Sequence, residues 1–336
     1  MRFGVLALLA LALAACGGDG GGSGDGTLTI YSGREEELVG PLIEKFEQAS
    51  GTNVEVRYGD SAELAATIAE EGDNSPADVF FAQDPGSLGA VEERGQLAPL
   101  DESVLERVPE RFRSADGRWI GTSGRVRVIA YNTEELSENE VPDSVLDLTD
   151  PKWKGKIGFP PTNASFQAFV TAMRLSAGDE KTRQWLEGIK ANDPKLYERN
   201  TPVVEAVAAG EILLGLVNHY YLYLVKEENP DAAVANHYLN ADDPGALVSV
   251  AGAGILDSAD SKEEAADFID YLLSEEGQQF YVDQAEEAEY PLIDGIEPKE
   301  GLPPLNSIPG PQLDLTRFGT ELERTLELLN EVGFTT

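Results

Sequence analysis

TLTIYSGREEELVGPLIEKFEQASGTNVEVRYGDSAELAATIAEEGDNSPADVFF, residues 27–81, decides the fold class. It opens with a short β-prone run, Thr27 to Tyr31. Leu38, Leu42, Ile43 and Phe46 then recur at helical spacing, and Gly51 closes that helix. Val54-Glu55-Val56-Arg57-Tyr58 alternates as a strand does, because successive strand side chains point to opposite faces. From Ser61 to Glu71 the period is helical again, with Leu64, Ile68 and alanines on one face. Ala77 to Phe81 is a compact apolar strand. Strand, helix, strand, helix, strand requires parallel βαβ units, and so a doubly wound α/β sheet.

Further along the chain, Arg125 to Tyr131 (RVRVIAY) alternates as a strand, and a proline-punctuated stretch leads to Trp153-Lys154-Gly155. A second α/β block follows. It comprises Ile157-Gly158-Phe159, a helix from about Phe166 to Ser176, a helix around Trp185, and the apolar strand Ile212 to Val217. Leu247 to Ile255 reads as another strand. Ser261 and Glu264 have the spacing of a capping box ahead of a helix carrying Phe268, Ile269, Leu272 and Leu273. An amphipathic helix, Leu313 to Val332, ends the chain, and there is no internal repeat. Two α/β blocks joined by extended strands predict two lobes around a cleft, where ligands of such folds sit.

The N-terminal residues read as an address. Arg2 is a minimal positive region, and Val5 to Ala15 is an apolar run too short to cross a bilayer as a helix but suited to a signal peptide. It ends in Leu13-Ala14-Ala15-Cys16, which resembles the lipobox of bacterial lipoproteins, where cleavage precedes an acylated cysteine. Residues 1–16 are therefore expected to be signal peptide and lipidation cysteine. Gly17 to Gly26 (GGDGGGSGDG) buries nothing and reads as a flexible tether. The expected location is extracytoplasmic, held to the cell membrane by lipid alone. Cys16 is the one cysteine in 336 residues, which excludes an intramolecular disulfide and a cysteine metal site.

The body from Thr27 onward exceeds one typical core and is read as two domains. Its charge is strongly acidic, 61 Asp and Glu against 25 Lys and Arg, a formal −36. Nucleic-acid phosphates are repelled by such a field, whereas cations in general are drawn to it. The acids are spread along the chain, as a solvated surface requires, rather than gathered into a site. Catalytic signatures are missing: no G-x-S-x-G, no H-E-x-x-H, no phosphate loop. An enzyme is not expected.

Chemistry concentrates in Asn218-His219-Tyr220-Tyr221-Leu222-Tyr223, directly after the strand Ile212 to Val217. Where a strand gives way to a helix, neighbouring phenols can converge on one point. A phenol is neutral near pH 7, its pKa being about 10. A trivalent cation can displace the proton, and the hard anionic oxygen suits Fe(III). The same tyrosines also serve as core filling with a polar tip.

NHYYLYLVKE after an apolar strand resembles the double-tyrosine motif of the periplasmic ferric-ion-binding proteins, a branch of the class II solute-binding fold. The likeness extends through LTIYSG (28–33), KFEQASG (45–51), EEGDNSPADVFFAQD (70–84) and SGRVRVIAYN (123–132). It continues in PKWKGKIGFPPTNASF (151–166), DPGALVSVAGAGIL (243–256) and AEYPL (288–292). The resemblance implies a two-lobed type II periplasmic-binding-protein fold, each lobe a mixed sheet flanked by helices. Its N-lobe would be 27–127 plus 251–301 and its C-lobe 128–250 plus 302–336, with hinge strands near Arg125–Ala130 and Val248–Gly252. It also implies a monomer that closes over Fe(III) and a synergistic phosphate or carbonate, then delivers the iron to an ABC permease and its ATPase.

In that resemblance Tyr220 and Tyr221 fall on the phenolate ligands. Asn163-Ala164-Ser165 forms the anion loop at a helix start, where free amides suit anions. Asn200 and Asn218 match further polar contacts to the anion, and all these Asn and Ser positions equally suit caps and turns. The first lobe departs from the pattern. Some members place a histidine where this chain has Glu35, a hard oxygen donor that also suits the solvated start of a helix. They place a glutamate where this chain has Gln83, with Asp84 next to it. Arg34, Arg125 and Arg127 are candidates to pair with a carbonate, Arg127 foremost. His219 is read as structural and His237 as a surface or edge residue. The alternative is the same fold with another solute: thiamine, a polyamine, a phosphonate or an inorganic anion.

Overall fold

The computed structural model describes residues 26–240, 243–283, 288–308, 310–311 and 313–335. The expected signal segment, Cys16 and the tether up to residue 25 lie outside the described residues. No helix among the described residues is long and apolar enough to cross a membrane.

The opening βαβαβ unit forms as its periodicity requires: β1 (Thr27–Ser32), α1 (Glu36–Ser50), β2 (Asn53–Tyr58), α2 (Ser61–Glu71) and β3 (Val79–Ala82), with β1 parallel to both β2 and β3. Gly51 ends α1 at φ 78°, the left-handed geometry that glycine adopts without steric cost. Asp60 opens α2 by accepting the Ala62 and Glu63 amides. α3 (Pro85–Glu92) and α4 (Glu102–Leu105) then lead to β4 (Ile120–Asn132). The second block contains β5 (Ile157–Phe159), α5 (Ala164–Ala177), α6 (Asp179–Ala191), β6 (Lys195–Leu196), α7 (Asn200–Ala208) and β7 (Leu214–Asn218). It continues with α8 (Tyr221–Glu228) and β8 (Val234–Tyr238). β9 (Val248–Ile255), α9 (Lys262–Leu272), α10 (Glu275–Asp283) and α11 (Phe318–Val332) complete the chain.

The strand order is β2-β1-β3-β9-β4-β7-β5-β6, with β8 also on β4. β4 is the long, wholly buried strand that joins two lobes: Ile120–Val126 pairs with β9, and from Arg127 onward it pairs with β7 and β8. Separate apolar clusters fill the layers. Phe46 meets Phe268 edge-on at 5.1 Å around the first half of the sheet, while Phe159 stacks on Phe166 at 4.6 Å beside β5. Each such buried ring contributes about 1.5–3 kcal/mol. The C-terminal helix packs on both α3 and α5, and glycines permit the approach. A Cβ on Gly89 would lie 2.1 Å from the Thr316 carbonyl oxygen.

Three expectations need correction. Ser261 does not form a capping box: its hydroxyl donates to the Thr27 carbonyl, 3.0 Å. Asp78 instead accepts the Asp260 and Ser261 amides and, on its other oxygen, that of Thr29. A carboxylate just before β3, held by Thr29 of β1, thus replaces the cap and ties β1 to the start of α9. The last helix begins at Phe318, because Asp314 caps a separate single turn, Leu315–Arg317. Of the surface-or-edge reading of His237 only the surface half fails: it lies on β8, which pairs with β4 alone, but it is buried and bonded to Asp143 at 2.9 Å.

Candidate ligand site

Between the lobes lies a cleft of about 1050 Å³. The loops after β1, β2 and β3 line one wall. The 163–165 loop, Asn218 and the tyrosine pair line the other, and Arg125, Leu247 and Ser249 come from the connecting strands.

The tyrosines are aimed by the end of β7. Asn218 is its last residue, paired with Arg127, and the backbone turns at Tyr220 (φ −72°, ψ −21°) to start α8. The adjacent phenols therefore point the same way. Their rings stand 4.4 Å apart, tilted by 34°, and the Tyr220 hydroxyl donates to that of Tyr221 at 3.2 Å. A hard ion bound octahedrally at about 2.0 Å holds neighbouring oxygens about 2.8 Å apart. The phenol oxygens stand close to that spacing. Tyr220 is 5% exposed and Tyr221 is half-buried, so the oxygens meet at the cleft surface on a rigid base. Among the described residues no group of three His, Cys, Asp or Glu is placed to hold a metal.

Beside the phenols, Asn163 caps α5. Its Oδ1 accepts the Ser165 amide (3.0 Å), the Ser165 hydroxyl (2.6 Å) and the Asn200 amide group (3.1 Å). Asn200 Nδ2 also stands 3.2 Å from Ser165 Oγ. Arg127 lies behind this network, fully buried, donating to Leu216 O (2.7 Å), Asn218 Oδ1 (3.4 Å) and Ser165 Oγ (3.5 Å) over the rings of Phe166 and Phe169. Burial lowers its guanidinium to about 9, with the nearby Tyr221 and Tyr220 acting the other way, so it remains a cation at neutral pH. Asn163, Ala164, Ser165, Asn218, Tyr220 and Tyr221 thus reach the cleft, whereas Asn200 and Arg127 brace it from behind. The start of α5, backed by a buried cation, is suited to an anion.

Across the cleft, Glu35 is exposed and makes no cap bond to α1. Gln83 faces the cleft, its backbone N–H donating to Ser61 Oγ and its backbone carbonyl accepting from Arg125. Asp84 is occupied at the start of α3, taking the Ser87 amide and hydroxyl, each at 2.8 Å. Sequence reasoning missed Glu289. Its Oε1 lies 3.0 Å from Arg34 Nη1 and 3.2 Å from Arg125 Nε, all three side chains being buried. Burial pushes its carboxyl up, but Arg34 and Arg125 outweigh burial and hold it below the usual range. Arg34 and Arg125 both line the cleft and share this one carboxylate. Only its position within AEYPL could have singled out Glu289 from sixty other acids.

His219 points away from the cleft. Its Nδ1 accepts the Val126 amide at 3.2 Å and its Nε2 bonds the Ala288 carbonyl at 2.9 Å. Burial holds the imidazole down to about 4, neutral throughout the physiological range.

Residues 74–306 match the family model described as bacterial extracellular solute-binding protein. The chain is 33% identical over 308 residues to the Fe(3+)-binding periplasmic protein of Serratia marcescens, covering 91% of this chain and 90% of that one. Among solved structures, iron-bound HitA from Pseudomonas aeruginosa superposes with a TM-score of 0.83 at 36% identity, covering 91% of this chain and 99% of that one. The Trichodesmium protein IdiA (FutA), in complex with iron and citrate ligands, superposes with a TM-score of 0.81 at 30% identity, covering 92% and 100%.

Proposed function

Because the chain belongs to the bacterial extracellular solute-binding protein family, we propose that it captures Fe(III) with a synergistic anion and hands the iron to an ABC permease and its ATPase. The observation that carries this reading is the convergence of Tyr220 and Tyr221 hydroxyls, 3.2 Å apart, beside an anion-suited helix start. Relatives named for ferric-iron binding support it.

Tyr220 and Tyr221 act as phenolate ligands, each releasing its proton to solvent as the trivalent ion takes its place on the oxygen. Phosphate or carbonate sits on Asn163, Ala164 and Ser165 and reaches Asn218, while Asn200 and Arg127 hold that loop in place and supply positive charge from behind. Glu35 is the oxygen donor that the opposite lobe brings in. Arg34 and Arg125, held by Glu289, face the anion from that side. Iron and anion dock first on the tyrosine lobe, and closure selects the arrangement in which the ligand touches both lobes.

The lobes divide as 27–127 plus 251–301 and 128–250 plus 302–336. In support, β4 changes partners at Val126 and Arg127, and β9 pairs with β4 alone up to Ala251 and with β3 as well from Gly252. Acylation at Cys16 and a glycine tether keep the protein beside the membrane as a monomer.

A visible absorption titration of the purified protein with chelated Fe(III), with and without phosphate or bicarbonate, tests the proposal. A one-to-one charge-transfer band that depends on one of these anions is expected. No band under any anion overturns it and moves the search to organic cations and oxyanions.

A further inference from the structure

His219 occupies the residue between the last position of β7 and the first ligand tyrosine, and all its polar groups are committed. Its amide donates to Val126 O (2.9 Å), its Nδ1 accepts the Val126 amide (3.2 Å), and its carbonyl accepts from Asn236 Nδ2 (2.7 Å). One residue thus satisfies both backbone groups of Val126, the last β4 residue paired with β9 before Arg127 turns to β7. Facing an N–H, Nδ1 is necessarily the acceptor, so the proton sits on Nε2 and is donated to Ala288 O at 2.9 Å.

Ala288 lies in a connector fastened to the other lobe. It holds φ at 42°, a left-handed conformation that a β-carbon disfavours. The next residue, Glu289, binds Arg34 and Arg125, and Tyr290 exchanges two backbone bonds with Gly124 at 2.8 and 2.9 Å. The His219 ring neighbours both aromatic systems, 5.7 Å from Tyr220 at 88° and 4.9 Å from Tyr290 at 45°. A shift of the Tyr220 backbone or ring therefore loads the bond to Ala288 directly.

We propose that His219 is the positioning residue that couples ligand capture at Tyr220 and Tyr221 to the 288–292 connector, and through it to the placement of the two lobes. This rests on the iron-binding reading above. Arginine pairing at the cleft wall makes the connector rigid, and the fixed tautomer lets a single side chain hold β4 and the connector at once.

Two conservative variants separate the arms. In His219→Asn the side-chain oxygen can still take the Val126 amide but cannot reach Ala288. His219→Gln can extend an amide nitrogen to Ala288 and leaves Val126. The readouts are the Fe(III) charge-transfer titration with phosphate and the radius of gyration by small-angle scattering, with and without iron. For His219→Asn the band should persist, affinity should fall about tenfold, as one buried hydrogen bond allows, and most of the iron-induced compaction should be lost. His219→Gln should recover the compaction. Full compaction in His219→Asn, or equal loss in both variants, overturns the coupling. Hydrogen exchange on the wild-type protein requires no variant to fold. Iron should slow exchange across 288–292 as well as 218–221, and protection confined to 218–221 also overturns the proposal. A wild-type protein that gives no band fails at the ligand reading instead, and the coupling falls with it.

Discussion

Replacing Glu289 with glutamine removes one charge from a cluster in which three buried side chains share one oxygen. The Arg34 and Glu289 side chains are each 1% exposed and Arg125 is 7% exposed, so solvent does little to compensate the guanidiniums left behind. Removing one partner of a buried pair costs about 3–5 kcal/mol. The glutamine oxygen keeps a neutral hydrogen bond to Arg34, which places the expected loss near the lower end, about 3 kcal/mol. At about 2–4 °C per kcal/mol, the melting temperature falls by about 6–12 °C. The acid dependence has a definite sign. Glu289 titrates below its unfolded value of about 4.3, so its contribution is full above that pH and is lost as the pH falls through the folded value. Urea unfolding of wild type and Glu289→Gln at pH 7, and then at descending pH, should show a gap that closes on acidification. A gap below about 0.5 kcal/mol at pH 7, within the range of an ordinary surface change, refutes the reasoning, as does one that widens in acid.

Gly89→Ala puts a Cβ 2.1 Å from a backbone oxygen on the segment leading into α11, so thermal unfolding should show a loss of about 1–3 kcal/mol. Asn163→Ala removes the α5 cap and the acceptor shared by Ser165 and Asn200. About 1 kcal/mol of stability should go, and calorimetry should find iron binding more dependent on added phosphate. Glu35→Gln should leave the charge-transfer band in place but speed iron release to a competing chelator, because the phenols belong to the other wall.

Much of this was legible from spacing alone. The βαβαβ opening and strands β4, β5, β7 and β9 follow from apolar runs and periods of 3.6 and 2, which backbone geometry imposes locally, whereas β6 and β8 carry no such signal. The tyrosine pair stood out through its resemblance to the double-tyrosine motif, since its place at a strand-to-helix junction suits core filling as well. Long-range partners were not. Asp78 takes over the cap expected of Ser261 from 183 residues away, and Glu289 meets Arg34 across 255. Neither pairing leaves a periodic trace. Arg127 was recognised as important on the anion side, but its depth depends on Phe166 and Phe169 packing over it from α5. His237 sits on a strand that a polar sequence, Val234-Ala235-Asn236-His237-Tyr238, does not mark as buried.

The central claim is that the two adjacent phenols hold the iron, and single phenylalanine variants test it most directly. Tyr220→Phe and Tyr221→Phe retain the rings and their packing, so each should unfold within about 1 kcal/mol of wild type, the net value of a single hydrogen bond. In a visible titration with Fe(III) and phosphate, each variant should lose tight one-to-one binding and most of the charge-transfer band, and the double variant should lose all of it. Wild-type affinity with an unchanged band in both single variants would contradict the account.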